Sequence, residues 1–188
     1  MNKMKYIVSI ALLFAGMVTV SAQDKYITKN GFVKFFSSAP LEDIEADNNN
    51  VQSIVDLAAS EVVINIPIQS FEFDKSLMKE HFNENYLESE KFPKASFKGK
   101  YDAGKQLTAK DIGSHTVAVT GDLTIHGVTR PLLAKATLII KAGGVQAKTK
   151  FDVRVADFDI EIPRIVFKNI AEVVEVTVDL QYTKLDKQ

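Results

Sequence analysis

The sequence predicts an all-β fold, an eight-stranded antiparallel barrel with one short helix. Segments in which apolar and polar residues alternate dominate the chain beyond residue 22, and this alternation is typical of half-buried strands. Turn signals separate the segments, so neighbours in sequence can pair as a meander. A long meander with one apolar face must pack on a second sheet or close on itself, and eight strands suit closure.

The predicted strands are spread over the whole of this region, and the stretches 102–113 and 156–171 are read as loops. The eight strands are placed at residues 26–37, 51–58, 61–70, 94–101, 115–126, 131–142, 145–155 and 173–184.

One segment has helical rather than alternating spacing. Met78, Phe82 and Tyr86 recur at intervals of four residues, which places them on one face of a helix. We expect this helix to run over residues 76–87, with Asp74 or Ser76 as its N-cap.

Two turn signals predict registers for the last hairpins. Gly143-Gly144 is read as a two-residue turn, and residues 127–130 are read as a four-residue connection. Both registers place apolar residues opposite apolar residues. The pairings that follow include Ala136 with Phe151 and Leu123 with Ala134.

The same registers predict an ion ladder on the outer face of the barrel. They place Lys135 between Asp122 and Asp152, one on each neighbouring strand. Opposite charges on adjacent strands stabilise a sheet, and a slip by one residue would destroy the pattern.

Residues 1–22 are predicted to be a signal peptide. Lys3 and Lys5 precede an apolar run over residues 7–20, and the small residues that end at Ala22 suit a signal peptidase. The alternative is a membrane anchor, but 14 apolar residues fall short of the roughly 20 that span a bilayer. We expect cleavage after Ala22, a mature domain over residues 23–188, and a periplasmic or secreted location.

Composition excludes several classes of function. The chain has no cysteine, hence no disulfide, thiol nucleophile or Cys-bound metal. Cleavage would leave 21 of the 23 Lys and Arg residues against 24 Asp and Glu residues, and a net acidic chain does not favour nucleic acid as a partner. The common catalytic and nucleotide-binding motifs are also missing. We therefore expect no enzyme and no cofactor, although carboxylates from distant strands could converge to form an active site.

The predicted interior contains a zone of small residues. Two interpretations remain open: the small side chains leave a cavity for a ligand, or they fit the taper of a solid barrel. The zone consists of Gly121, Ala134, Ala136, Ala147 and Thr149.

Two stretches carry a resemblance to a known family. "HFNENYLESEKFPKASFKGKY" (residues 81–101) and "VTGDLTIHGVTRPLLAKATL" (residues 119–138) resemble the two signature regions of the YceI-like family. The stretch over residues 35–50 departs from the family's commonest pattern. The resemblance implies a lipocalin-like barrel in the periplasm that holds an amphiphilic chain, typically a polyisoprenoid.

The expected function is therefore that of an exported protein that holds an amphiphilic lipid for carriage or storage, with at most transient membrane contact. A barrel with a filled interior and an enzyme acting on an amphiphile remain as alternatives. The predicted contacts with the apolar tail are Ile64, Ile66, Phe97, Leu123, Ala134, Ala136 and Phe151, and those with the headgroup are His81 and Tyr86.

The histidine of "GDLTIHGVTRP" is given a structural role. Alternation places His126 on the polar face of a strand, at the surface, where it would hydrogen-bond within the connection between two strands. Asp122 shares this face, but four strand residues span about 13 Å, too far for both to bind one metal ion. We expect no metal site.

Overall fold

The computed structural model describes residues 24–163 and 169–185. The predicted signal peptide, residues 1–22, lies outside them. Eight long strands and one two-residue strand form the sheet, and one helix lies beside it. The strands are β1 (Lys25–Ser38), β2 (Asp43–Asp56), β3 (Glu61–Pro67), β4 (Glu72–Phe73), β5 (Lys94–Asp102), β6 (Gly113–Ile125), β7 (Val128–Lys141), β8 (Gly144–Arg154) and β9 (Val173–Lys184).

All strand pairs are antiparallel, and the sheet closes. Each long strand pairs with its neighbours along the chain, with β3 pairing directly with β5. β1 pairs with both β2 and β9, which joins the two sides of the sheet. The short strand β4 pairs only with the first half of β2. The predicted eight-stranded barrel with one short helix is confirmed.

The two ends of the barrel differ. At one end, which we call the open end, lie the turn 39–42, the helix-containing segment 68–93, the turn 126–127 and residues 155–163. The opposite, closed end is filled by buried side chains that include Leu57 and Leu107. The first and last strands also meet at the closed end, where the backbone N–H of Leu185 donates to the carbonyl of Lys25 (2.9 Å).

Strand β2 begins at Asp43, eight residues before the predicted start at residue 51. The first part of β2 could not be predicted, because a β-bulge interrupts the alternation of apolar and polar residues in the polar run 47–50. The bulge shifts the register: Gly31 pairs with Val51, whereas Val33 pairs with Asn48. Asn48 is fully buried, and its Nδ2 donates to the carbonyl of Pro67 (2.8 Å). A buried polar side chain with a hydrogen-bond partner thus occupies an inward position of the strand.

Both predicted hairpin registers are wrong, although the faces are right. The β7–β8 turn is Ala142-Gly143, so Ala136 pairs with Thr149 rather than Phe151. The β6–β7 turn is His126-Gly127, so Leu123 pairs with Arg130 rather than Ala134. The shifts are two and four residues, and an even shift leaves every side chain on its predicted face.

The predicted ion ladder is also wrong, for the same reason. Lys135 is exposed on the outer face, as expected, but it lies opposite Ala118 on β6. Asp122 instead faces Pro131. Pro131 lies inside β7, in the part of that strand that pairs with β6 but not with β8. Because one side of β7 is unpaired there, a residue without a backbone N–H is tolerated.

The helix has the predicted position but not the predicted form. It begins as an α-helix, α1 (Ser76–His81), and continues as a π-helical turn over Phe82–Tyr86. The N-cap residue is Lys75, which makes no side-chain capping bond. The predicted caps, Asp74 and Ser76, are therefore wrong. No residue of α1 is buried; the Phe82 ring of the π-helical turn and the ion pairs of Lys75 and Lys79 connect this segment to its surroundings.

Candidate functional site

The interior of the barrel is hollow. A cavity of about 440 Å³ is lined by inward-facing side chains of all eight long strands and by the helical segment. The lining is almost wholly aliphatic and aromatic. A pocket of this kind suits an apolar ligand.

All nine predicted site residues line this cavity. The seven predicted tail contacts belong to the strands, whereas the two predicted headgroup contacts belong to the helical segment at the open end. The strand residues are Ile64, Ile66, Phe97, Leu123, Ala134, Ala136 and Phe151, and the helical residues are His81 and Tyr86.

One row of these side chains crosses three adjacent strands. Ile64 on β3 pairs with Phe97 on β5, and Phe97 pairs with Leu123 on β6. Directly paired residues lie close enough for their side chains to touch. The row forms one continuous apolar wall of the cavity.

The neighbouring row contains a pair of glycines that accommodate the Phe97 ring. Gly99 and Gly121 are paired across β5 and β6. A Cβ added to Gly99 would lie 2.5 Å from Cζ of Phe97, and one added to Gly121 would lie 2.8 Å from the same atom. The ring therefore rests against backbone where other residues would place side chains. Gly121 was predicted only as a small residue of the interior, and Gly99 was not predicted to take part.

Ala136 belongs to another part of the cavity lining, on β7. Its neighbours are Val117 on β6 and Thr149 on β8. The Thr149 hydroxyl donates to the carbonyl of Lys135 (2.7 Å), so this polar group bonds to the protein itself. The small side chain of Ala136 leaves space that a larger side chain would fill.

Four phenylalanines hold the helical segment over the open end. Phe82, on the π-helical turn, stacks on Phe35 of β1 with ring centroids 5.4 Å apart and an interplanar angle of 17°. It also meets Phe71 and Phe73 at 5.5 and 5.1 Å, within the range of favourable aromatic pairs. Phe82 was predicted on the helix, but its three partners were not predicted, although "FF" and "FEF" are conspicuous in the sequence.

Polar groups at the open end lie on the rim of the cavity. His81 is exposed and Tyr86 is half-buried; burial raises the pKa of the Tyr86 hydroxyl. The Glu42 carboxylate also lines the cavity and pairs with Lys75 (Nζ to Oε1, 2.6 Å). The hydrogen bond from Lys75 lowers the pKa of Glu42. A ligand with an apolar tail inside would thus meet polar side chains where its other end emerges.

A family model described as the YceI-like domain matches residues 27–182. The chain belongs to the YceI-like family. Two curated relatives match parts of it. A UPF0312 protein of Pseudomonas syringae is 40% identical over 55 residues, which is 29% of this chain and 25% of that protein. A UPF0312 protein of Vibrio cholerae is 30% identical over 84 residues, 44% of this chain and 41% of the relative.

Solved structures of low sequence identity share the YceI-like fold. A polyisoprenoid binding domain from Saccharophagus degradans, described as implicated in plant cell wall breakdown, superposes with a TM-score of 0.74 at 16% identity, covering 87% of this chain and 99% of that one. BcnA of Burkholderia cenocepacia gives a TM-score of 0.68 at 16% identity, covering 80% and 95%. At these identities the likeness establishes the fold alone.

His126 occupies a different place in the YceI-like chain from the one predicted. It lies in the β6–β7 turn, with φ of 51°, and its side chain is only 12% exposed, so the predicted surface position on a strand is wrong. Its Nδ1 donates to the carbonyl of Phe158 (3.2 Å), and its Nε2 lies 2.7 Å from Oε2 of Glu88. The ring also meets Phe92 edge-on. The histidine therefore links three separate segments at the open end.

The closed end of the YceI-like barrel contains buried hydroxyl groups that bond to one another and to backbone. Ser53 Oγ donates to the carbonyl of Val63 (2.8 Å), so the hydroxyl of Tyr182 must donate to Ser53 Oγ (2.8 Å). Burial raises the pKa of Tyr182. The Tyr101 hydroxyl donates to the carbonyl of Leu57 (3.3 Å). These pairings leave aromatic rings, rather than free polar atoms, at the bottom of the cavity.

Two negative findings apply to residues 24–163 and 169–185. No group of three or more His, Asp or Glu side chains in this part of the YceI-like chain could hold a metal ion. In the same residues, no helix has the length and apolar character needed to cross a membrane.

Proposed function

We propose that this protein is exported and holds an amphiphilic lipid, with a polyisoprenoid chain as its tail, inside the barrel for carriage or storage. The observation that carries the proposal is the apolar cavity of about 440 Å³ that opens beside the helical segment. The polyisoprenoid binding named for the Saccharophagus domain supports the same ligand class.

Burial of the tail would supply most of the affinity. Each CH₂ group removed from water contributes about 0.8 kcal/mol, so even a partly enclosed isoprenoid chain needs no charged contact. The row Ile64, Phe97 and Leu123 offers a continuous apolar wall to such a chain. Selectivity for tail structure should be low, because dispersion and burial do not depend on direction.

The headgroup of the ligand would lie at the rim. His81, Tyr86 and Glu42 line the cavity there and can form hydrogen bonds. We propose binding rather than catalysis for this site. Incubation with candidate isoprenoids followed by chromatography and mass analysis tests that point, since an enzyme would convert them to products that differ in mass or retention time.

Export is a separate part of the proposal, supported by the sequence of residues 1–22. The mature protein should begin at Gln23. Mass spectrometry of the protein purified from its native host measures this directly, and a chain that retains residues 1–22 would contradict it.

The cavity itself is tested by filling it. Ala136→Phe places a large ring between Val117 and Thr149 and should lower the affinity for a fluorescent isoprenoid at least about tenfold while the fold survives. The matched control is Ala118→Phe, the same substitution on the exposed outer face of β6, which should bind as the parent does. Circular dichroism and thermal melting check the fold of both variants.

The outcomes separate the alternatives. A solid interior would make Ala136→Phe strongly destabilising through overpacking. Unchanged binding together with unchanged melting would place the ligand elsewhere and overturn the proposal. Solvent extraction of protein from its native host, with the released molecule identified by mass, would name the ligand.

A further inference from the structure

Two exposed leucines project from the open end. Leu41 lies in the β1–β2 turn and is 68% exposed, and Leu77 lies in the first turn of α1 and is 58% exposed. Exposed single apolar side chains are common. These two differ from the rest because of where they lie.

Both leucines flank the mouth of the cavity. Glu42 and Met78, the next residue after each leucine, line the cavity. The ion pair between Glu42 and Lys75 (2.6 Å) also ties the β1–β2 turn to the start of α1. A surface that covers Leu41 and Leu77 therefore meets the cavity lining at Glu42 and Met78.

The shape of this surface favours a fluid apolar phase as its partner. Charged residues adjoin both leucines, Glu42 beside Leu41 and Lys75 and Lys79 two positions from Leu77, so the two side chains offer no extended apolar surface to a peptide or a second chain. Single apolar side chains that insert to a shallow depth suit the boundary between headgroups and acyl chains of a bilayer.

The charge around the mouth indicates which bilayer fits. Five acidic residues and two lysines lie in residues 39–43 and 72–80, and both lysines are paired with carboxylates, Lys75 with Glu42 and Lys79 with Glu72. An anionic surface attracts basic segments and repels this one. The remaining acidic residues are Asp43, Asp74 and Glu80.

We propose that the open end docks on the surface of an uncharged, zwitterionic lipid bilayer by inserting Leu41 and Leu77. The contact is shallow and reversible, since two leucines provide little buried area. This inference rests on the proposed function in one respect: docking in this orientation would let an isoprenoid chain pass between bilayer and cavity without crossing water.

The test mixes the ligand-free, full-length mature chain with phosphatidylcholine vesicles. The double variant Leu41→Asp/Leu77→Asp should reduce the fraction that floats with the vesicles about tenfold or more. Two matched controls carry the same change elsewhere: Ile112→Asp at the closed end (66% exposed) and Leu133→Asp on the barrel wall (73% exposed). Both should float as the parent does. Adding phosphatidylglycerol to the vesicles should weaken flotation of the parent.

Three results would overturn the inference: a parent that does not float with phosphatidylcholine vesicles, controls that lose flotation as fully as the double variant, or stronger flotation as phosphatidylglycerol is added. Sedimentation without vesicles tests a second copy as the occupant; self-association that the double variant abolishes would assign the surface to a dimer instead.

A separate measurement distinguishes failure of this inference from failure of the proposed function. Isoprenoid delivered from ethanol loads the cavity without a bilayer. If the parent binds it but does not float with vesicles, only the docking inference fails. If the parent floats through its leucines but binds no isoprenoid by either route, docking stands and the proposed function fails.

Discussion

His126 illustrates what can and cannot be predicted for a single residue. A structural role with hydrogen bonds inside the β6–β7 connection was predicted from its sequence context, but the side chain bonds to Phe158 and Glu88 in other segments. Its actual place was not predictable, because its partners Glu88 and Phe158 lie 38 and 32 positions away, and no local pattern encodes such contacts. A His-Gly turn with φ of 51° and 75° is also unusual, since two-residue turns of this kind favour Asn-Gly.

The contribution of the His126 side chain can be separated from that of the turn. His126→Asn suits the turn but removes the bonds to Glu88 and Phe158. We expect the hairpin to remain and the linked segments to open more often, with a loss of about 1–2 kcal/mol. Hydrogen exchange at the amides of Ser89 and Ile160, both bonded within these segments, measures it.

Glu88→Gln is the control for the His126 variant. The Gln amide can still hydrogen-bond to Nε2, so the substitution removes only the charge and its effect on exchange should be smaller. Unchanged protection at Ser89 and Ile160 in His126→Asn would contradict the linking role.

At the scale of elements, the helix predicted from periodicity agrees with the observed helical segment to within one residue at each end. The registers of the β6–β7 and β7–β8 hairpins, predicted from turn residues, were wrong. Met78, Phe82 and Tyr86 do share one face in the structure, since all three line the cavity. The β7–β8 register was missed because Gly143-Gly144 permits more than one two-residue turn, and the β6–β7 register because the turn is His126-Gly127 rather than residues 127–130. In both hairpins an even shift keeps the same apolar face inward. Face patterning cannot distinguish such registers.

Phe82 should contribute most to attaching the helix to the barrel, because its ring contacts three other phenylalanine rings, whereas no residue of α1 is buried. Phe82→Ala removes the stack on Phe35 and the contacts with Phe71 and Phe73. We expect a loss of about 2–4 kcal/mol in the free energy of unfolding and loss of exchange protection in α1. Leu77→Ala, an exposed position on the same helix, should change stability by less than about 0.5 kcal/mol. Similar effects of the two substitutions would contradict the assignment.

For the whole molecule, the fold class and the inward faces could be predicted, but the hollow interior could not. Alternation identified every predicted tail contact as inward, and all of them line the cavity. Whether small residues leave space depends on where large neighbours go. Here the Phe97 ring lies against Gly99 and Gly121. This contact joins residues of two strands, and the spacing of residues along the sequence does not predict it.

At the closed end, the hydrogen bond between Ser53 of β2 and Tyr182 of β9 spans β1, which lies between these two strands. Substitutions at the two residues test its contribution to stability. Ser53→Ala leaves the buried Tyr182 hydroxyl without its acceptor and should cost about 1–3 kcal/mol. Tyr182→Phe leaves Ser53 bonded to Val63 and should cost about 1 kcal/mol or less. Denaturant unfolding of both variants measures the difference. Equal losses, or a larger loss for Tyr182→Phe, would contradict the hydrogen-bond directions assigned here.

The hydrogen bond between Leu185 and Lys25 has a practical consequence for handling this barrel. Because the first and last strands meet at the closed end, a peptide tether attached after Lys184 leaves on the side opposite the cavity mouth. Barrels anchored to a bead or a sensor surface through such a tether would all face outward with the mouth accessible. The same proximity would let a short linker join the two strand ends in a circularly permuted chain, with new termini placed at another turn.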